Sequence, residues 1–328
     1  MWHNIWLQVP PDEVPIKHVT NGIHTRSWLA PDLQFVLDRY LSDKWQTDPT
    51  DQTVWEGVMQ IPDEELWRAH ERCRERLVGW TRQTLKDQLT KRRESYDELS
   101  AAEEVLDPEA LTIGFARRFA TYKRGALLLR DTERLKRLLE DTKRPVQFVF
   151  AGKAHPADHE GKELIKTIVN FARSNPQLRR RMVFVENYDM NVARYLVHGV
   201  DVWLNNPRRP YEASGTSGMK ASLNGVPNLS VLDGWWAEGY NGKNGWEIGD
   251  GQEYGNPDEQ DWHDVQSLYS ILEQQVVPLF YNRDASGLPT GWVNMMKEAI
   301  VTCAPQFSMA RQVKEYTEMF YVPAMEKK

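Results

Sequence analysis

LTIGFARRFATYKR, Leu111–Arg124, is the stretch at which the pattern of the chain changes. Its first six residues, Leu111–Ala116, are a short apolar run, and comparable runs follow at VQFVFAG (Val146–Gly152), MVFVEN (Met182–Asn187), DVWLN (Asp201–Asn205) and LSVL (Leu229–Leu232). Patterns of helical period lie between them, at Lys123–Glu140, His159–Ser174, Asn191–His198 and from about Ser217. Strands alternating with crossover helices predict an α/β fold, a Rossmann-like parallel sheet with helices on both faces. Such sheets bind ligands beyond the carboxyl ends of their strands. The informative loops are therefore those after Ala116, Gly152, Asn187 and Asn205.

Outward from this region, the first thirty residues read as an extended segment punctuated by proline. A helix is predicted at Pro31–Leu41 with Pro31 in its first turn. A long charged helix is predicted at Asp63–Arg93, carrying Leu66, Trp67, Leu77, Trp80 and Leu85 on a helical period. After Gly249 the polar stretch DGQEYGNPDEQD reads as a loop, followed by helices at Trp262–Tyr281, Gly291–Cys303 and Ser308–Phe320.

The composition bounds the function. In 328 residues, 41% are hydrophobic and 27% charged, as in ordinary globular proteins. A formal charge of -6 argues against a nucleic-acid partner. Cys73 and Cys303 match no metal or redox spacing and are expected to be buried, reduced thiols of a cytoplasmic protein. No stretch has the length and apolarity of a bilayer span, and MWHNIWLQVPPDEVP lacks the pattern of a signal peptide, so no membrane partner is expected. His3, His18, His70, His155, His159, His198 and His263 have no ligand-like spacing, and no metal site is expected. Thirteen tryptophans suit a carbohydrate site or a core equally well.

The sharpest chemical signal is EASGTSGMK, Glu212–Lys220. Its small residues let the backbone bend closely around a ligand. The helix that follows offers free N–H groups to a phosphate, and Lys220 lies one turn after Thr216 on the same face. A phosphate cradle with an amine one turn away suits pyridoxal phosphate, although a capped helix with a surface lysine has the same spacing. In GFARRFATYKR, Gly114–Arg124, the cations Arg117, Arg118, Lys123 and Arg124 cluster at a strand end, as an anion site or a solvated basic turn would. VTNGIHTRSW (Val19–Trp28), FAGKAHP (Phe150–Pro156) and ENY (Glu186–Tyr188) are weaker signals, each readable alone as an ordinary turn or strand end.

Together these segments resemble the α-glucan (glycogen/maltodextrin) phosphorylase family. EASGTSGMK followed by LNG resembles the family's EASGTxNMKxxLNG, RRFATYKR its KRxHEYKR, TNGIHTRSW its TNGxTPRRW and AGKAHP its GGKAxP, all in the family's order from about His18 to Gly234. LDGWWAEGYNGKNGWEIG is closer to the shorter bacterial and archaeal enzymes. The resemblance implies the C-terminal domain of a GT-B type glycosyltransferase, with residues 1–30 a remnant of an interdomain or N-terminal segment, 31–105 a helical connecting region, 106–290 the Rossmann-like domain for pyridoxal 5'-phosphate and phosphate, and 291–328 C-terminal helices. It implies Lys220 as the Schiff-base lysine, with Gly215, Thr216, Ser217 and Arg117 holding the cofactor phosphate and Tyr188 touching the cofactor. Arg118 and Lys123 would bind the substrate phosphate, and Asn21, Tyr122, Glu212, Ser214 and Gly215 the glucosyl hydroxyls. The implied reaction is phosphorolysis of α-glucan to α-glucose 1-phosphate with retention, with α-glucan and inorganic phosphate as partners, incomplete without an N-terminal domain of the same enzyme, for which a homo-oligomer is possible.

This sequence departs from the family pattern in places. Ala120 and Thr121 replace its His and Glu, Arg117 its Lys, Ser217-Gly218 its Gly-Asn, and Asp189 an Arg common in animal enzymes. Two other readings stay open at this point: a nucleotide-sugar glycosyltransferase resembling glycogen synthase, which needs no amine at Lys220, and a non-catalytic glucan-binding module using Trp235, Trp236 and Trp246.

Overall fold

The computed structural model describes residues 5–10, 13–14 and 16–326, so His3 and the first four residues of the N-terminal segment lie outside the described residues. Six strands, β1 (Leu111–Arg118), β2 (Val146–Lys153), β3 (Met182–Val185), β4 (Val202–Asn205), β5 (Asn228–Val231) and β6 (Gly245–Ile248), form one sheet in the order β3-β2-β1-β4-β5-β6. Every pairing is parallel. This is the doubly wound order, with its reversal between β1 and β4. Side chains alternate across the sheet. Leu111, Ile113 and Phe115 of β1 join Phe148 and Phe150 of β2 in one core, while Ala116, Val149 and Ala151 face the other. Burial on both faces explains why these strands read as unbroken apolar runs.

The helices are α1 (Pro31–Tyr40), α2 (Asp63–Lys91), α3 (Thr132–Glu140), α4 (His159–Arg173), α5 (Met190–Gly199), α6 (Ser217–Leu223), α7 (Pro257–Ile271), α8 (Thr290–Gln306) and α9 (Met309–Tyr316), with several shorter turns. Several starts are fixed by side chains that accept a first-turn amide: Asp131 from Arg134, Asp158 from Gly161, Asp189 from Val192 and Asn256 from Asp258. The Asn256 cap and Pro257 start α7 five residues before the position read from the sequence, and a π turn at Leu272–Val276 carries the helix on to Tyr281. β6 is a four-residue edge strand behind a glycine-rich turn, too short to leave a periodic signal.

The helix expected over Lys123–Glu140 is broken. Two 3-10 turns, Thr121–Lys123 and Leu127–Asp131, precede α3. The break is at Arg124, whose backbone is left-handed (φ 48°) and whose guanidinium is buried against Asp261 and Asp264.

At the amino end of β4, Asp201 is fully buried. It accepts from Arg74 NH1 (2.7 Å), from His70 Nε2 (2.8 Å) and from the Thr112 amide (2.8 Å), which ties α2 to β1 and β4. Burial by itself would raise the Asp201 pKa, but Arg74, His70 and the Thr112 N–H outweigh it and hold the carboxyl below its ordinary 3.8. A depressed folded-state pKa stabilises the fold above the unfolded value and loses that contribution as the pH falls through the folded one. Asp201→Ala is therefore expected to cost about 3–5 kcal/mol in urea denaturation at pH 7, because it leaves a buried guanidinium unpaired. The deficit relative to wild type should shrink in titrations carried below the ordinary carboxyl value; a deficit independent of pH would contradict this account.

Candidate active site

The order reversal places the loops after β1, β4 and β5 around one crevice. At its centre is the carboxylate of Glu212, which is only 7% exposed. Lys123 Nζ donates to both oxygens, at 2.7 and 3.0 Å, and Arg117 NH2 donates to Oε2 at 3.0 Å. Lys123 Nζ also lies 4.8 Å from the centre of the Tyr122 ring. The Glu212 amide donates to Asp233 Oδ2 at 2.8 Å, so the loop after β5 fixes the backbone of the loop after β4. Burial raises the Asp233 pKa against the opposing amides of Glu212 and Gly234. Burial likewise pulls Arg117 below the usual guanidinium value while Glu212 opposes the shift, and Arg117 NH1 is buried with no hydrogen-bond partner.

Gly215 has φ +76°, the left-handed turn that starts the approach to α6, with the Glu212 carboxyl carbon 3.7 Å from where a Cβ would stand. Thr216 is the N-cap of α6 but makes no side-chain cap bond. Lys220 lies one turn further on, its amide donating to Thr216 O at 3.2 Å. Its Nζ sits 3.7 Å from the centre of the Trp28 ring. Trp28 is anchored by its carbonyl, which accepts from Asn224 Nδ2 (2.8 Å) and His198 Nε2 (3.0 Å). Burial lowers the Lys220 pKa and brings His198 down to about 4, so His198 is a neutral donor at pH 7. Tyr188 lies beside Ser217 and Arg117, and burial raises its pKa.

The residues expected at the site therefore do not all lie together. Arg117, Lys123 and Glu212 are bonded together, Tyr122 and Gly215 adjoin them, and Tyr188 lies by Arg117 and Ser217. Arg118, the next residue along β1, is exposed and takes no part in the Glu212 bonds. Asn21 is exposed and tied to α9, its carbonyl accepting from Arg311 NH2 (3.2 Å) and its Oδ1 from Gln312 Nε2 (3.3 Å); none of its hydrogen bonds reaches Glu212. Arg124, counted among the cations of the basic loop, is instead a buried structural group bonded to Asp261 and to the carbonyls of Asn206 and Pro207.

Two departures from the family pattern have local explanations. Asp189 caps α5 through a 2.9 Å bond from the Val192 amide. At Gly218 a Cβ would come within 2.4 Å of Asn228 Oδ1 and 2.7 Å of Trp235 Cζ2, so Asn228 fills the space that a side chain at 218 would need. Sequence reading missed Asp233, although an Asp-Gly directly after an apolar run at LSVL is the signal for it. It also missed the contact of Trp28 with Lys220, for which no local signal exists.

Residues 6–239 match the profile of the family described as Carbohydrate phosphorylase. The chain belongs to the carbohydrate phosphorylase family. It is 47% identical over 328 residues to a maltodextrin phosphorylase of Thermococcus litoralis, covering 99% of this chain and 38% of that protein. It is 47% identical over 321 residues to a glycogen phosphorylase of Aquifex aeolicus, covering 98% of this chain and 45% of that one. A glycogen phosphorylase of Mycobacterium tuberculosis is 45% identical over 325 residues. The chain thus spans less than half the length of these curated relatives.

A lysine with a depressed pKa carries more free amine near neutrality than a solvent-exposed one. Lys220 is expected to acylate ahead of the exposed lysines on limiting reagent at pH 8, read by peptide mass spectrometry. Labelling of Lys220 no faster than theirs would show that its burial under Trp28 does not lower its pKa.

Proposed function

We propose that this chain is the cofactor- and phosphate-binding half of an α-1,4-glucan phosphorylase, which transfers a glucosyl unit from α-glucan to inorganic phosphate and gives α-glucose 1-phosphate with retention. The observation that carries the reading is the bonding of two cations to one buried carboxylate in the loop after β4 of a phosphorylase-family sheet, the helix that leaves the same loop carrying a desolvated amine. A nucleotide-sugar transferase on the same sheet order has no use for that amine.

The donor set fits pyridoxal 5'-phosphate. Arg117 has a buried guanidinium nitrogen without an acceptor, Gly215 leaves the backbone open to close approach, and Lys220 presents an amine of lowered pKa. In this reading Lys220 carries the cofactor, Arg117 and the backbone of Gly215, Thr216 and Ser217 hold its phosphate, and Tyr188 lies against it. Arg118 and Lys123 hold the substrate phosphate, while Tyr122, Glu212, Ser214, Gly215 and Asn21 meet sugar hydroxyls. When bound, the cofactor supplies a phosphate group that can exchange a proton with the substrate phosphate. The chain supplies positive charge: adjacent phosphates repel, and fixed cations in a partly dry crevice offset that repulsion far better than in water. Residues of a phosphorylase beyond those in this chain complete the glucan side, the setting is cytoplasmic, and this chain alone binds the cofactor without turning over glucan.

The test is to add pyridoxal phosphate, reduce with borohydride and map the modified peptide. A single label on Lys220, absent in Lys220→Ala, is expected; labels scattered over exposed lysines would refute the assignment. Arg117→Ala should weaken pyridoxal phosphate binding by roughly ten- to a hundredfold, the loss of a charge-assisted hydrogen bond.

A further inference from the structure

The Glu212 carboxylate occupies the cations that a phosphate needs. Two positive groups, Arg117 and Lys123, face this one negative group through three hydrogen bonds of 2.7–3.0 Å. Within this trio one positive charge has no counter-charge, the next carboxylate being Asp233, which accepts from the Glu212 amide, and Arg117 NH1 remains buried with no acceptor. The carboxylate leaves part of the donor set unused. Its attachment also differs from that of its backbone. The Glu212 amide is held by Asp233, whereas the hydrogen bonds of the carboxylate go only to the two cations, so the side chain can leave while the loop stays in place.

We propose that Glu212 is the resident counter-charge of this site, displaced when an anion binds, and that it thereby selects doubly charged tetrahedral oxyanions over monoanions. The inference rests on the reading in which Arg117 holds the cofactor phosphate and Lys123 the substrate phosphate, and it concerns the chain without cofactor, where both cations face one anion. Exchanging Glu212 for a monoanion swaps one negative charge for another and leaves the surplus positive charge uncompensated. A dianion neutralises both cations and brings more acceptor oxygens than a carboxylate has, which suits the orphaned Arg117 nitrogen. The exchange also releases a carboxylate into the crevice, where it is free to accept from a hydroxyl donor. Glu212 is in this way a specificity-determining residue for the charge of the anion, and it links anion binding to the exposure of an acceptor beside it.

Titration calorimetry of the 328-residue chain in low-salt buffer, with sulfate, phosphate and nitrate as probes, tests this. Wild type is expected to bind sulfate and phosphate and to show no measurable heat with nitrate. Glu212→Gln, which keeps the shape and the amide bond to Asp233, should bind sulfate about tenfold more tightly or better, because the competing charge-assisted bonds are gone, and should now bind nitrate. Thermal melts check that Glu212→Gln is folded, and Glu212→Ala must shift sulfate affinity in the same direction. Equal sulfate affinity in wild type and both variants would overturn the displacement mechanism while leaving the phosphate site standing. Weaker binding in the folded variants would make Glu212 an organiser of the site and overturn it too. Absence of sulfate binding in all three proteins would remove the phosphate-site reading itself, and the proposal with it.

Discussion

The crevice depends on a guanidinium that takes no part in binding. Arg124 reaches out of the loop after β1 and is buried against the carbonyls of Asn206 and Pro207, which begin the loop after β4, and against Asp261 and Asp264 of α7. Three separate elements thus converge on one planar group whose five donors are fixed in a fork. A charge so deeply buried is tolerable only with this complement of partners. The neighbouring residue, Lys123, bonds Glu212 from the same loop, at 2.7 and 3.0 Å. The left-handed backbone at Arg124 is the local cost, and it ends what would otherwise continue as helix.

Electrostatically the site is a cationic pair with an internal counter-ion, set in a chain of net charge -6. The overall charge therefore says little about the ligand. What matters is the pair of cations gathered on one buried carboxylate. The amine of Lys220 is placed differently. Its neighbour is the face of Trp28, which attracts an ammonium, while burial acts the other way and lowers its pKa.

Much of this was legible in the sequence because the strands are buried on both faces. LTIGFA and VQFVFAG are predominantly apolar for a physical reason, their polar members Thr112 and Gln147 being buried and bonded to each other, and the alternation of such runs with helical periods points to a parallel sheet. The order of the strands and the direct bond between Arg117 and Glu212 were not read from the sequence; the family motifs only assigned both residues to one site. The four-residue β6 and the broken helix after Lys123 were not legible. The first is too short for periodicity, and the second is decided by a tertiary pull on Arg124 that no local pattern encodes. The partnership of Trp28 and Lys220 joins residues from the two ends of the fold, and only the folded chain brings them together.

The short N-terminal segment carries a further consequence. Ile23 donates to the carbonyl of Phe307 (2.8 Å) and accepts from the amide of Met309 (2.8 Å), so it is clamped at the junction of α8 and α9. Trp28, five residues later, is the cover of Lys220. Contacts between such distant parts of a chain form slowly, because the intervening loop must close first. The cover of Lys220 is pinned from two sides, by Asn224 and His198 at its own carbonyl and by the junction of α8 and α9 five residues earlier.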